Sequence, residues 1–188
     1  MSTFAGRRRL SDVSATPGSI AADVDEPDAS AYSFERFYRA KIGAAFRLAA
    51  LLGADDPEDV AQESMARVEP HLERLPDDGA RTAYLRRAVV NLARDRWRRQ
   101  QRGAARHVFD PATAPGAEEA ALLSEDRREV LAGLSRLAVR QREALVLKYW
   151  QNLSEAEIAR AMGVGAGTVK VHLFRGTRAL AGYLKELQ

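Results

Sequence analysis

Nine arginines and a single acid, Asp95, stand in the stretch from Arg81 to Arg106, a net of plus eight in a chain of 188 residues. A guanidinium is always charged and meets phosphate oxygens through two parallel N–H donors, so an arginine-only run reads as a nucleic-acid surface, with a solvated helix face as the bland alternative. The stretch before it is its opposite. From Gly53 to Asp78 nine acids stand against Arg67 and Arg74, a net of minus seven. Such a segment cannot lie along phosphate, and needs either a basic protein partner or open solvent. A third region carries its own pattern: in LSEAEIARAMGVGAGTVK, Leu153 to Lys170, Ser154 and Glu157 form a capping box, Gly163 supplies a turn, and Val169, Leu173, Gly176, Leu180 and Leu184 mark one face of a closing helix. Thr168, Lys170, His172 and Arg175 fall on its polar, basic side, so the segment reads as a helix-turn-helix whose second helix touches base edges and phosphates. The bland reading is a helical hairpin with an accidental glycine.

Other chemistries lack their residues. There is no cysteine, which excludes disulfides, a thiolate zinc site and a cysteine nucleophile. The three histidines, His71, His107 and His172, lie far apart without metal-ligand spacing. The glycines at 163, 165 and 167 have neither a preceding strand nor a following Lys-Ser or Lys-Thr, so they do not read as a nucleotide cradle. Accordingly no metal, cofactor or catalytic centre is expected, and the chain does not read as an enzyme. Behind Arg7-Arg8-Arg9 comes a polar stretch rather than an apolar one, and the longest apolar run, Leu48 to Gly53, falls far short of the ~20 residues that span a bilayer. A cytoplasmic protein without membrane insertion is the expectation.

The elements that must position these groups are helical. Residues 1–32 show neither helical nor strand period and read as a disordered tail. From Ser33, Phe34, Phe37, Tyr38, Ile42, Ala45, Phe46, Ala49 and Leu52 follow helical steps, and Gly53 stops them. Asp56 can cap a second helix, with Pro57 in its first turn and Val60, Ser64, Met65 and Val68 facing inward. A polar turn follows, and then a long helix with Leu85, Ala88, Val89 and Leu92 on one face and arginines on the other. Residues 103–117, with two prolines and two glycines, read as a linker. The remaining unit, 118–188, fits four helices broken near Ala138, Leu153 and Gly163, the first with Leu122, Leu123, Val130, Leu131, Leu134 and Leu137 inward. An all-α chain of two small domains, 33–102 and 118–188, is expected.

Three segments in this order resemble bacterial RNA polymerase sigma factors of the extracytoplasmic-function type, most closely the actinobacterial sigma-E-like branch. They are DPEDVAQE from Asp56, AYLRRAVVNLARDRWRR from Ala83, and RQREALVLKYW from Arg140 running into the helix-turn-helix. The resemblance covers about Phe34 to Leu184. It implies a factor that binds core polymerase, recognises the minus-10 and minus-35 promoter elements and helps to open the duplex. The first unit then corresponds to region 2 and the last to region 4.

By that resemblance Glu58, Asp59, Gln62 and Glu63 contact the clamp helices of the polymerase largest subunit. Arg87, Asn91, Arg94 and Arg98 meet the minus-10 element, and the loop from Arg74 to Thr82 receives a flipped base. Thr168, Lys170, Val171, His172 and Arg175 meet the minus-35 element. Val171 departs from a common serine, and Gly165 from a common capping serine or threonine; a valine can touch a thymine methyl but cannot hydrogen-bond a base. Asp95 reads more simply as an ion-pair partner for Arg98 or Arg99. Trp97 and Tyr84 read either as stacking partners or as partly core. The family further implies an anti-sigma factor among the partners, and residues 1–30 could take part in such regulation. The rival readings are a stand-alone helix-turn-helix regulator, which leaves the arginine helix unexplained, and a helical protein adaptor without salt-dependent DNA affinity.

Overall fold

A computed structural model describes residues 29–102 and 125–186, and every regular element among them is helical. The expected tail through residue 28, the linker 103–117, and Leu122 and Leu123 lie outside the described residues. The order is α1 (Ala29–Leu51), α2 (Pro57–Val68), a 3-10 segment (Glu69–Arg74), α3 (Asp78–Arg102), α4 (Glu125–Arg136), α5 (Val139–Tyr149), α6 (Glu155–Met162) and α7 (Ala166–Glu186). Helix α1 opens at Ala29, four residues ahead of the point where apolar periodicity begins.

Helices α1, α2 and α3 pack on one another around Phe37, Leu48, Ala49, Val60, Met65, Val68, Leu85 and Val89. Each large buried aliphatic among these contributes roughly 1.5–3 kcal/mol, so the amphipathic stripes are sufficient reason for the arrangement. Local signals set the ends. Asp56 Oδ1 accepts from the Asp59 N–H at 2.9 Å, Pro57 occupies the first turn, and Glu58 and Asp59 complement the helix dipole. Gly53, at φ +76°, turns the chain out of α1.

The polar loop expected from Arg74 to Thr82 is shorter than the turn residues suggested. Arg74 closes the 3-10 segment and α3 already begins at Asp78, leaving three residues between them. Asp77 is the reason: its Oδ1 accepts from the Ala80 N–H at 2.7 Å, so what reads as a turn acid is a helix cap. Arg81 then ties the start of α3 back by donating to the Leu72 carbonyl at 3.1 Å.

In the second unit, α7 packs against α4, α5 and α6. The breaks fall where the residue types place them: Ala138 precedes α5, Ser154 caps α6, and Gly163 ends α6 at φ +67°. The capping box is complete, with the Glu157 N–H donating to Ser154 Oγ at 3.3 Å and the Ser154 N–H donating to Glu157 Oε2 at 2.8 Å. Gly176 lets α7 approach α5 closely, since a Cβ there would sit 3.2 Å from Gln141 and Leu145 atoms.

The two units are in contact. Helix α3 packs on α6, and one arginine spans both units: Arg142 donates to the Leu134 and Ser135 carbonyls at 2.8 and 2.6 Å, closing the end of α4, and to the Leu52 carbonyl, just past α1, at 3.1 Å. One guanidinium thus caps carbonyls at helix ends in both units.

Candidate nucleic-acid interface

The acidic face of α2 is exposed. Glu58, Asp59 and Gln62 point outward, Glu63 is half-buried, and Gln62 donates to Glu58 Oε1 at 3.2 Å one turn back. This face also meets α3, because Arg96 pairs with Asp59 and with Glu63 Oε2, the latter at 3.2 Å. Burial pushes the Glu63 carboxyl up, but hydrogen bonds from Arg96 and Arg67 outweigh it and hold the group below the usual carboxylate range. Burial likewise pushes the Arg96 guanidinium down, and its bonds to Asp59 and Glu63 reverse the sign.

Along α3 the four arginine-helix residues divide. Arg87 and Arg98 are exposed, with Arg98 Nη1 3.8 Å from Asp95 Oδ1. Arg94 is buried, at 9% exposure, and donates through Nε and Nη2 to both carboxylate oxygens of Glu143, each at 2.8 Å. It also donates to Asn91 Oδ1 at 3.3 Å, so in this arrangement the Arg94 guanidinium is taken up by acceptors of the protein itself. This is a departure from the expectation of a phosphate-facing Arg94, and its physical cause is the buried carboxylate opposite. Asp95 has the structural partners expected of it, Arg98 and, through its carbonyl, Arg99. Tyr84 is half-buried with its ring 5.1 Å from that of His71, and Trp97 is half-buried at a cleft edge.

The outer face of α7 is open where the helix-turn-helix reading needs it. Thr168, Lys170, Val171 and Arg175 are exposed, while Val169 is fully buried beneath them. Lys170 lies 3.8 Å from Glu155. A Cβ at Gly165, ahead of α7, or at Gly167, in its first turn, would meet nothing within 4 Å, so the start of the helix is unobstructed. His172 is half-buried; burial lowers its pKa most, Arg140 pushes the same way, Glu143 pulls against them, and Arg175 adds a last downward push.

The packing of the units brings two of these groups together. A cleft of about 370 Å³ is lined by Arg94, Trp97 and Arg98 from α3, Arg140 from α5, and His172 and Arg175 from α7. A second, of about 760 Å³, lies between Arg86 and Arg87 of α3 and Arg160 of α6. The α2 acids line neither cleft.

Two kinds of residue escape sequence reasoning. Phe174, assigned to neither face from the sequence, is 69% exposed beside Val171; the signal was its position between the inward Leu173 and the outward Arg175. Glu143 at 3% exposure and Arg142 at 6% are charged residues in the interior, and no periodicity of α5 marks them, because their partners are 49 and 90 positions away.

Residues 34–103 match the family described as Sigma-70 region 2, and residues 127–180 match Sigma-70, region 4. The chain is 34% identical over 160 residues to the RNA polymerase sigma-E factor of Streptomyces coelicolor, covering 82% of this chain and 85% of that one. It is 32% identical over 186 residues to the ECF RNA polymerase sigma factor SigM of Mycobacterium tuberculosis, covering 96% and 90%. The fold is similar to that of CnrH in complex with the cytosolic domain of CnrY, with a TM-score of 0.60, 22% identity and coverage of 84% and 95%. It is also similar to the sigma factor RpoE in complex with the anti-sigma factor NepR from Bartonella quintana, with a TM-score of 0.62, 23% identity and coverage of 81% and 96%.

Proposed function

This chain belongs to the sigma-70 family, as an extracytoplasmic-function sigma factor of the sigma-E-like branch that directs promoter-specific transcription by RNA polymerase, and from that premise we propose how its surfaces divide the work. Residues 33–102 act as region 2 and residues 118–188 as region 4, joined by 103–117. Glu58, Asp59, Gln62 and Glu63 dock on a basic surface of core polymerase. The exposure of this acidic face, outside both clefts, supports that reading. Arg87, Asn91, Arg94 and Arg98 serve the minus-10 element once Arg94 is released from Glu143.

Thr168, Lys170, Val171, His172 and Arg175 serve the minus-35 element, with Phe174 added to the set. The observation that carries this is the outer face of α7, where polar, basic and two apolar side chains stand exposed over a fully buried Val169. Lys170 and Arg175 suit phosphate or guanine, and Val171 and Phe174 suit thymine methyl groups. An anti-sigma factor is a further partner, as for Bartonella RpoE. The protein acts as a DNA-binding initiation factor without catalysing a reaction, and works in the cytoplasm; no helix among the described residues is long and apolar enough to cross a membrane.

Run-off transcription with purified core polymerase tests the assignment. Selective starts should depend on the chain and collapse when Asp59 is reversed in charge and Gln62 is replaced by Ala. Tight binding to duplex without any directed initiation would instead favour a stand-alone regulator.

A further inference from the structure

Arg86 and Arg160 have no part in the promoter assignments, yet they meet in one cleft. About 760 Å³ of space lies between α3 and α6, lined by Arg86 and Arg87 on one side and Arg160 on the other, with Glu157 as the one acid among its lining residues. That carboxylate is already committed, since Glu157 Oε2 accepts from the Ser154 N–H at 2.8 Å and from the Ser154 hydroxyl at 2.6 Å. Among the described residues neither Arg87 nor Arg160 forms an ion pair. Three guanidiniums therefore share a concave space with little to neutralise them.

Arg86 is the sharpest sign of an absent counter-charge. Its Nε–H is buried and has no hydrogen-bond partner, a costly condition for a donor on a charged group. Burial pushes the guanidinium below its ordinary range, and the Glu157 charge offsets this only in part. An anion beside it would supply both an acceptor and a counter-charge. Gly165, on the same lining, immediately precedes the 21-residue α7 and has no side chain to cap it, so the start of that helix also favours negative charge.

The other walls indicate what the anion carries. Leu75, Tyr84 and Val164, each half-buried, give a flat or aliphatic group a surface to lie against. A space of this size suits one small molecule rather than a duplex, whose major groove alone is about 12 Å wide. We propose that this cleft is a binding site for a nucleoside polyphosphate, its phosphates held by Arg86, Arg87 and Arg160 and its ring lying against Tyr84. Only Arg87 is shared with the minus-10 set, so the site goes beyond the sigma-factor reading and does not depend on it.

Isothermal titration calorimetry on the full chain, with inorganic pyrophosphate, ATP and adenosine as probes, tests this. Pyrophosphate and ATP should each bind one per chain and weaken as salt rises, with ATP at least tenfold tighter because it adds the ring. Adenosine alone should give no binding heat. Arg160→Ala, at an exposed position of α6, and Arg86→Gln should each weaken ATP at least tenfold, whereas Arg99→Gln, on α3 outside the cleft, should leave it unchanged. A wild-type chain that binds neither pyrophosphate nor ATP at millimolar concentration overturns the site, whether or not any variant folds. Equal weakening by Arg160→Ala and Arg99→Gln, both with native circular dichroism, also overturns it, since that is diffuse attraction to a basic surface. A single-stranded oligonucleotide without terminal phosphates that binds more tightly than ATP, and loses that affinity in Arg160→Ala, makes the cleft a nucleic-acid groove instead. Calorimetry contains no polymerase, so its failure leaves the sigma assignment standing, and a chain that binds ATP but fails in run-off transcription counts against that assignment alone.

Discussion

Asp59 on α2 and Arg96 on α3 are ion-paired, and the same guanidinium reaches Glu63 one turn along at 3.2 Å. The acidic block and the arginine block, which follow one another in the chain, are therefore stitched at the seam between their helices. Glu58 and Gln62 stay directed outward, and Asp59 remains about half exposed. The surface proposed to dock on polymerase is thus backed by a cation that orients it.

Reversing the charge at Asp59 should separate function from folding. Arg96 keeps Glu63, and exposed ion pairs contribute about 0–1 kcal/mol, so Asp59→Arg should shift the thermal midpoint little. Directed initiation should fall by about tenfold or more, since a like charge then faces a basic partner. Circular dichroism melting and run-off transcription on the same preparation check both halves.

Phe174 and Val171 predict a methyl-dependent readout. Replacing thymine with uracil in the minus-35 element deletes single methyl groups, and should weaken binding by the wild-type chain. The Phe174→Ala chain should bind more weakly overall and lose most of that sensitivity, because apolar contact with the thymine methyl is the recognition that phenylalanine offers. Equal sensitivity in both chains would remove Phe174 from the interface.

The capping box of α6 has a defined weight. Ser154→Ala removes the acceptor for the Glu157 N–H and the hydroxyl donor to Glu157 Oε2, and should destabilise the protein by about 1 kcal/mol. For a chain of this size that corresponds to a midpoint lowered by roughly 2–4 °C in a thermal scan.

Acid should loosen the protein through His172. Burial and the neighbouring Arg140 and Arg175 lower its pKa, so below the ordinary value of about 6.5 the unfolded chain binds a proton that the folded chain resists. The associated stability is complete above pH 6.5 and is lost as the pH falls through the depressed folded value. Denaturant melts at pH 7.5 and pH 5.5 should show a drop that His172→Gln makes smaller.

Much of this was legible in the residues, for identifiable reasons. Ser154, Glu157 and Gly163 act within one turn of where they stand, so their spacing announces α6 and its ends directly. Asp56 and Pro57 do the same for α2. Asp77 misled because an acid in a Pro-Asp-Asp-Gly run has the same appearance in a turn and in a helix cap, and the Ala80 N–H that decides between them is a matter of backbone geometry. The burial of Arg94 was illegible for a different reason. An arginine in a basic run faces phosphate unless a carboxylate is buried opposite it, and Glu143 is 49 positions away on another unit.

That separation has a consequence for how substitutions combine. Residues that share one buried hydrogen-bond network do not contribute independently, so changes at positions 94 and 143, far apart in the chain, are energetically coupled. What α3 of the first unit tolerates is thereby set in part by a helix of the second.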